Sequence, residues 1–184
     1  GYRPMRRATV AHAVVRAISG QLVEARRALA LERAIVRACG DTVATQEALR
    51  CLSPLDLRRL GLAQHRATTL ARLAARIDFE RLHAVPTTVV RARLLRERGV
   101  RPWSVGVIAI EGLGRYDHAI VGDLSLVKLY ASLTGRWVEG PETAELVAPY
   151  AEWQGVACEI LLLGWARGLV PGASVDKARI ARRR

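Results

Sequence analysis

The chain has 184 residues, 51% of them hydrophobic, and a formal net charge of +12. This length suffices for one domain, or for two small lobes that share a core. No apolar run approaches the roughly 18 residues that a membrane span needs, so we expect no membrane-embedded segment.

The positive charge is carried almost wholly by arginine, because Lys128 and Lys177 are the only lysines. The 29 basic residues outnumber the 17 acidic ones. An excess of this size favours a polyanionic partner such as a nucleic acid, since each phosphate contact releases counterions. A GC-rich genome would explain the preference for arginine over lysine, but not the excess over the acids.

Cysteine and histidine usage predicts neither a disulfide framework nor a metal site. The three cysteines, Cys39, Cys51 and Cys158, lie far apart, and the four histidines have no ligand spacing. We interpret the cysteines as buried thiols in a reducing compartment. The apolar segment near the start is interrupted by His12 and Arg16, which argues against a signal peptide. We therefore expect a cytoplasmic, nucleoid-associated bacterial protein.

Two helices are predicted before residue 41 from apolar residues at i, i+3, i+4 and i+7. The first is broken at Ser19 and Gly20, and the second opens at 21–23 and ends at a capping Gly40. Their expected buried residues are Val10, Ala13, Val14, Ala17 and Ile18 in the first, and Ala28, Leu31, Ile35 and Ala38 in the second.

Four more helices are predicted before residue 98. Two short ones, 45–52 and 54–60, precede a longer helix over 62–77. Pro86 followed by two threonines starts the fourth, since proline and threonine favour a helix start. In the long helix Leu70, Leu73, Ala74 and Ile77 are expected inward, with Arg66, Arg72 and Arg76 outward; the fourth buries Val90 and Leu94.

The next stretch contains a tight turn, RGVRP over 98–102, and an apolar helix that begins at Trp103 and breaks at 112–114. After a short polar connection, Asp123 opens another helix. That helix is expected to bury Leu126, Leu129, Tyr130 and Leu133 on one face.

Two further helices are predicted, over 142–150 and from Trp153 to Gly164. Residues 171–184 form a basic tail that we expect to be flexible. No long alternation of apolar and polar residues predicts a sheet, so the fold should be all-α. The last helix is expected to direct Trp153, Val156, Ala157, Ile160, Leu161 and Gly164 inward.

Four segments together resemble, in order, the helix-hairpin-helix DNA glycosylases, and within them the 3-methyladenine DNA glycosylase II (AlkA-like) branch. The segments are AISGQLV at 17–23, LGLAQHRATTLARLA at 60–74, GVRPWSV at 99–105 and GLGRYDHAIVGDLSL at 112–126. The resemblance implies a two-lobed all-α fold over 1–170 with a cleft between the lobes. The middle lobe would span about 41–112, and the other about 8–40 and 113–170.

The implied function is monofunctional DNA glycosylase activity in base excision repair. Such a monomer would bind double-stranded DNA containing a damaged base, flip out an alkylated purine and hydrolyse its N-glycosidic bond. The resemblance makes Asp123 the catalytic residue, whose carboxylate would stabilise oxocarbenium character on the sugar. Capping the following helix is the alternative role for this residue, and the two roles can coexist.

The turn is implied to contact a DNA phosphate through Gly99, Val100 and Arg101, at a helix N-terminus. In the family this turn reads Gly-apolar-Gly and often holds a monovalent cation through carbonyl oxygens. Here the second glycine is Arg101, which could supply a charged contact instead. No other cofactor and no metal are implied. An ordinary helix-turn-helix corner is the alternative reading.

Trp103 stands where bifunctional members of the superfamily carry a Schiff-base lysine, so no lyase activity is expected. With Val107 and Trp165 it would line the base pocket, where an indole suits a cationic alkylated purine. Leu22 would be the wedge that enters the duplex, with Gln21 beside it at the DNA. Trp103 and Leu22 could instead be ordinary core residues.

Two other functions remain open from the sequence. The chain could be a non-catalytic helix-hairpin-helix module that binds DNA by charge and shape, or a glycosylase for a different damaged base. The cysteine spacing lacks the C-x6-C-x2-C-x5-C pattern of the iron–sulfur members. The AlkA-like enzymes commonly carry a β-rich N-terminal domain, whereas about eight residues precede the first predicted helix here.

Overall fold

A computed structural model describes residues 2–40 and 42–174, and every regular element in these ranges is a helix. The predicted all-α fold is confirmed. Most of the predicted basic tail, residues 175–184, lies outside the described residues. Within the described ranges no helix has the length and apolar character needed to cross a membrane. The chain divides into two compact units, Met5–Arg115 and Gly1–Pro4 with Tyr116–Arg184.

The larger unit, Met5–Arg115, is organised around α1, whose predicted inward residues are all buried. This helix packs against α2, α5, α7 and the π-helical turn that continues α7. The helices of this unit are α1 (Val10–Ser19), α2 (Ala25–Ala38), α3 (Gln46–Arg50), α4 (Pro54–Arg59), α5 (Gln64–Arg76), a 3-10 helix (Glu80–Ala84), α6 (Thr87–Leu95), α7 (Pro102–Val107) and the π-helix (Ile108–Leu113).

The sequence-based division placed residues 8–40 with 113–170, and the structure differs. Residues 8–40 pack within the unit that ends at Arg115. The reason is the close approach of α1 to the π-helix, where a Cβ on Gly112 would lie 2.8 Å from that of Ala13. Burying α1 there removes nearly all of its apolar surface from water.

A buried ion-pair cluster fixes the start of this unit. The Glu32 carboxylate lies 3.0 Å from an Arg7 guanidinium nitrogen and 3.1 Å from Nε2 of His12. Arg7 also pairs with Glu111 at 2.9 Å, while Arg16 lies 3.8 Å from Glu32. The cluster therefore joins the segment before α1, α1 itself, α2 and the π-helix, and a buried carboxylate of this kind requires such partners.

Helix α2 is shorter than predicted. It begins at Ala25 and not at 21–23, because Leu22 has a left-handed backbone with φ +49°. It ends at Ala38, which is exposed and not buried as expected, and Gly40 follows with φ +116°. The predicted inward residues Ala28, Leu31 and Ile35 are buried.

The smaller unit has a core of Ala119, Leu126, Val147 and Cys158. Leu126 and Leu129 of α8 are buried as predicted, whereas Tyr130 and Leu133 are half-buried. Its helices are α8 (Leu124–Thr134), a 3-10 helix (Gly140–Glu142), α9 (Thr143–Val147), a 3-10 helix (Ala148–Trp153) and α10 (Gln154–Ala166).

Two predictions for this unit were wrong. The single helix over 142–150 is two short helices, and Ala151, within the second of them, has φ +44°, which kinks the chain there. Trp153 and Ile160, predicted inward, are exposed. Helix α10 is apolar around most of its circumference, so periodicity could not identify the face that packs.

Candidate functional site

The predicted hairpin is present in the larger unit. Helix α6 ends at Leu95, and α7 begins at Pro102 after a tight turn in which Gly99 has φ +90°. Arg101 occupies the second glycine position of the family pattern. Its backbone is extended, with φ −125°. An arginine therefore fits this position without strain, and its side chain is exposed.

Helix α5 contacts the turn through two side chains. An Arg72 guanidinium N–H donates to the Arg98 carbonyl, and the Thr69 hydroxyl, which donates to the His65 carbonyl at 2.8 Å, lies 3.3 Å from the same Arg98 oxygen. Arg72 also pairs with Glu97 at 3.1 Å. The prediction that Arg72 simply faces outward is wrong, since it joins α5 to the turn. Sequence reasoning missed both residues because they lie almost thirty positions before the turn.

Val100 closes the turn from inside. Its side chain is buried, and its backbone N–H donates to the Glu97 carbonyl at 3.0 Å. That N–H is therefore used within the turn.

The predicted wedge residue, Leu22, lies in the loop between α1 and α2. Its side chain is 97% exposed, and its φ of +49° is a conformation that leucine rarely adopts. The alternative of an ordinary core leucine is therefore wrong.

Gln21, next to this leucine, contacts the hairpin. Its Nε2 donates to the Gly99 carbonyl at 2.9 Å and to the Ser104 hydroxyl at 2.8 Å. Gln21 was predicted to contact DNA, but here its amide nitrogen joins the loop between α1 and α2 to the turn.

Trp103, in the first turn of α7, is half-buried and not a full core residue. Its indole packs on Gly20, where an added Cβ would lie 2.9 Å from the ring and 2.4 Å from the Arg16 guanidinium. Because Gly20 has no side chain, the Trp103 indole can pack directly against the backbone there. Val107, one turn further, is buried with 5% exposure.

Asp123, in the smaller unit, caps α8. Its Oδ1 accepts from the backbone N–H groups of Ser125 at 2.7 Å and Leu126 at 3.3 Å. The preceding Gly122 has φ +83° and donates its N–H to the Thr143 hydroxyl at 2.9 Å. The capping role is therefore confirmed, and it fixes the orientation of a half-buried carboxylate.

Two further residues of this unit, Cys158 and Trp165, are buried. Burial raises the pKa of the Cys158 thiol to about 11, and the nearby charge of Asp123 acts in the same direction. The thiol therefore stays protonated and adds no second negative charge beside the aspartate. Trp165 is 3% exposed, and its indole N–H donates to the Ser174 carbonyl at 2.7 Å, so it packs in the interior of the unit.

An apolar depression of about 220 Å³ also lies in this unit, but no predicted site residue lines it. Among residues 2–40 and 42–174, no three His, Cys, Asp or Glu side chains are grouped as a metal site. The residues that line the depression are Tyr150, Trp153, Val156, Ala157, Ile160 and Leu161.

Solved structures similar to this chain include DNA glycosylases. The 3-methyladenine DNA glycosylase of Archaeoglobus fulgidus superposes with a TM-score of 0.75 at 20% identity, over 87% of this chain. The Schizosaccharomyces pombe 3-methyladenine DNA glycosylase, in complex with abasic DNA, gives 0.78 at 19% identity over 95% of this chain and 89% of its own. The 8-oxoguanine glycosylase/lyase of Clostridium acetobutylicum, with double-stranded DNA, gives 0.77 at 16% over 88% of this chain and 61% of its own.

These likenesses establish the helix-hairpin-helix DNA glycosylase fold for this chain. The chain spans 59% of the length of the archaeal enzyme. No family model and no curated protein sequence matches it.

Proposed function

We propose that this protein is a monofunctional DNA glycosylase that excises alkylated purines of the 3-methyladenine type, with Asp123 as its catalytic residue. The observation that carries the proposal is a half-buried carboxylate at the N-terminus of α8, at the end of the segment that most resembles the AlkA-like enzymes. Two structures of the same fold, from Archaeoglobus fulgidus and Schizosaccharomyces pombe, are 3-methyladenine DNA glycosylases.

The proposed chemistry needs one fixed negative charge. As the N-glycosidic bond breaks, positive charge develops on the deoxyribose, and the carboxylate stabilises it. Two unit charges about 4 Å apart at an effective dielectric near 20 attract by roughly 4 kcal/mol, which is on the order of a thousandfold in rate. The cap supports this role, because two backbone N–H groups already orient the Oδ1 atom of Asp123.

The larger unit supplies the proposed DNA contacts. Arg101 stands exposed at the N-terminus of α7, where a positive side chain and the helix dipole both favour a phosphate. Leu22 projects an apolar side chain into solvent, which suits insertion into the base stack where the target nucleotide leaves.

The monofunctional assignment is supported by the lack of lysine in the part of the chain that carries the hairpin. The only lysines are Lys128 and Lys177, so residues 5–115 contain none, and Trp103 occupies the hairpin position of the Schiff-base lysine. A cationic alkylated purine is already a good leaving group and needs no covalent catalysis. The expected product is an abasic site in an intact strand.

The test is Asp123→Asn, which keeps the size and capping ability of the side chain but removes its charge. We expect the excision rate of 3-methyladenine from a duplex to fall by about two to four orders of magnitude, as for the loss of several kcal/mol of transition-state stabilisation. Affinity for the lesion duplex should stay within a few-fold, because the carboxylate acts after base flipping. Single-turnover excision and equilibrium binding measure the two quantities.

Asp117→Asn is the matched control, since Asp117 is an exposed carboxylate six residues earlier. Equal loss of excision in both variants would contradict the role of Asp123. Borohydride trapping of wild-type protein on the DNA, or strand cleavage without alkali, would contradict the monofunctional assignment. A panel of single modified bases that includes 8-oxoguanine separates the alkylation specificity from the alternative suggested by the Clostridium acetobutylicum structure. Tight binding without excision of any base would favour the non-catalytic module.

A further inference from the structure

Three successive carbonyl groups at the hairpin turn, those of Glu97, Arg98 and Gly99, accept hydrogen bonds from donors of the protein itself. The Glu97 carbonyl accepts from the Val100 N–H at 3.0 Å, and the Gly99 carbonyl accepts from Gln21 at 2.9 Å. The Arg98 carbonyl accepts from the Arg72 guanidinium. Each of these three carbonyls therefore faces an N–H group of the protein.

This arrangement does not fit a monovalent cation at the turn. Such an ion replaces its hydration shell by several carbonyl oxygens that all point at it. Here each of the three carbonyls instead accepts a hydrogen bond from a different protein donor. Arg72 brings a positive charge to the turn from α5, and the Glu97 carboxylate matches this charge at 3.1 Å. The turn thus has no uncompensated negative charge that would attract an ion.

We propose that Arg72 and Gln21 together take the place of a hairpin cation, so that the turn keeps its shape whichever monovalent ion is present. Arg72 is the central positioning residue, because its guanidinium bonds both the side chain of Glu97 and the carbonyl of Arg98. Gln21 completes the set from the loop between α1 and α2, and its hydrogen bonds fix the loop that carries Leu22.

Thermal unfolding in different salts tests the proposal without DNA, so its outcome is independent of the proposed catalytic function. Wild-type protein is unfolded in KCl, NaCl and N-methyl-D-glucamine chloride at equal ionic strength. We expect the same Tm in all three. A cation bound at roughly a hundred times its dissociation constant would raise Tm by several degrees. A saturable rise of Tm with K⁺ or Na⁺ over the organic cation would overturn the proposal.

Arg72→Met tests the residue assignment, with Arg76→Met as the matched control on the same helix. Arg76 is exposed, so both variants lose one positive charge but only the first loses the contacts to the turn. We expect Arg72→Met to lower Tm by several degrees and to speed amide exchange of Val100 at least tenfold, while Arg76→Met leaves both near wild type. Equal behaviour of the two variants would contradict the assignment.

Gln21→Met provides a second variant in case Arg72→Met does not fold. It removes the bonds to Gly99 and Ser104 from a half-buried side chain. Faster exchange of the hairpin amides with little change in Tm is expected. Unchanged exchange there would show that the turn does not depend on these donors.

Discussion

At the scale of single residues, the two functional candidates, Asp123 and Leu22, differ in how well each suits its local backbone structure. Asp123 agrees with its local structure, because a carboxylate at a helix start is what capping and the helix dipole both favour. Leu22 is unfavourable in its local structure, because its large apolar side chain is exposed and its backbone has a left-handed conformation. Residues that break local rules without stabilising the fold are expected at functional sites.

Substitution of Leu22 should separate stability from function. Leu22→Gly removes the strained φ of a non-glycine residue, so we expect Tm to rise by a few degrees, in line with about 1 kcal/mol. Leu22→Ala should leave Tm nearly unchanged, because the lost side chain contacts little. Both should slow excision from a fully paired duplex by about tenfold or more, since the unstacking of a base pair costs a few kcal/mol that the wedge offsets.

Leu55→Ala is the control for these variants, because Leu55 is another exposed leucine of the same unit. Single-turnover excision from paired duplexes and from single-stranded substrate measures the effect. If Leu22→Ala slows excision equally on both substrates, the residue does not act as a wedge.

Residues whose roles depend on distant partners could not be read from the sequence. Asp123 was predictable, because a cap is a local pattern and the motif around it is contiguous. Arg72 was not, since its contacts to Glu97 and Arg98 join residues 25 and 26 positions apart. The exposure of Leu22 follows from a backbone conformation that no periodicity signals.

At the scale of elements, the amphipathic helices were predictable and the irregular ones were not. The four residues predicted to face inward along α5 and at its C-cap are buried as expected, because one apolar stripe on a polar helix defines its packing face. They are Leu70, Leu73, Ala74 and Ile77. The pattern over 142–150 predicts one helix, but the structure has an α-helix that ends at Val147 and a 3-10 helix that begins at Ala148. Helix α10 has apolar residues on most faces, so Trp153 and Ile160 were placed inward in error.

The hairpin turn offers a prediction at this scale through Gly99. An added Cβ there would meet two obstacles, the φ of +90° and the Thr69 hydroxyl at 2.4 Å. We expect Gly99→Ala to lower the free energy of unfolding by about 2–4 kcal/mol, from backbone strain plus overpacking. Duplex affinity should fall with it, and chemical denaturation measures the stability term.

Gly40→Ala separates the two causes, because Gly40 also has a positive φ, of +116°, but no atom within 4 Å of an added Cβ. It should cost only the backbone strain, about 1 kcal/mol. Thr69→Ala in the Gly99→Ala background should recover part of the loss, since it removes the clashing hydroxyl. Equal costs for Gly99→Ala and Gly40→Ala would mean that Thr69 does not constrain the turn.

At the scale of the whole molecule, positive charge is abundant and only part of it is used internally. Arg7, Arg16 and Arg72 pair with carboxylates inside the larger unit, and Arg136 pairs with Glu142 in the smaller one. The formal net charge of +12 nevertheless remains after every acid is counted. Such an excess acts through long-range attraction to a polyanion and through counterion release, both of which are sensitive to salt.

Duplex binding should therefore weaken steeply with salt. The plot of log K against log[salt] should be linear with a slope of about −0.9 for each phosphate contacted. Arg101→Ala should reduce the steepness by about one contact and weaken lesion and undamaged duplexes alike, because a phosphate carries no base identity. Arg136→Ala is the control, since its guanidinium lies 2.7 Å from the Glu142 carboxylate and its charge is already matched. Fluorescence anisotropy over a series of salt concentrations gives the slopes. An affinity independent of salt would remove the arginine surface as the source of binding, whereas an unchanged slope in Arg101→Ala would remove only the hairpin contact.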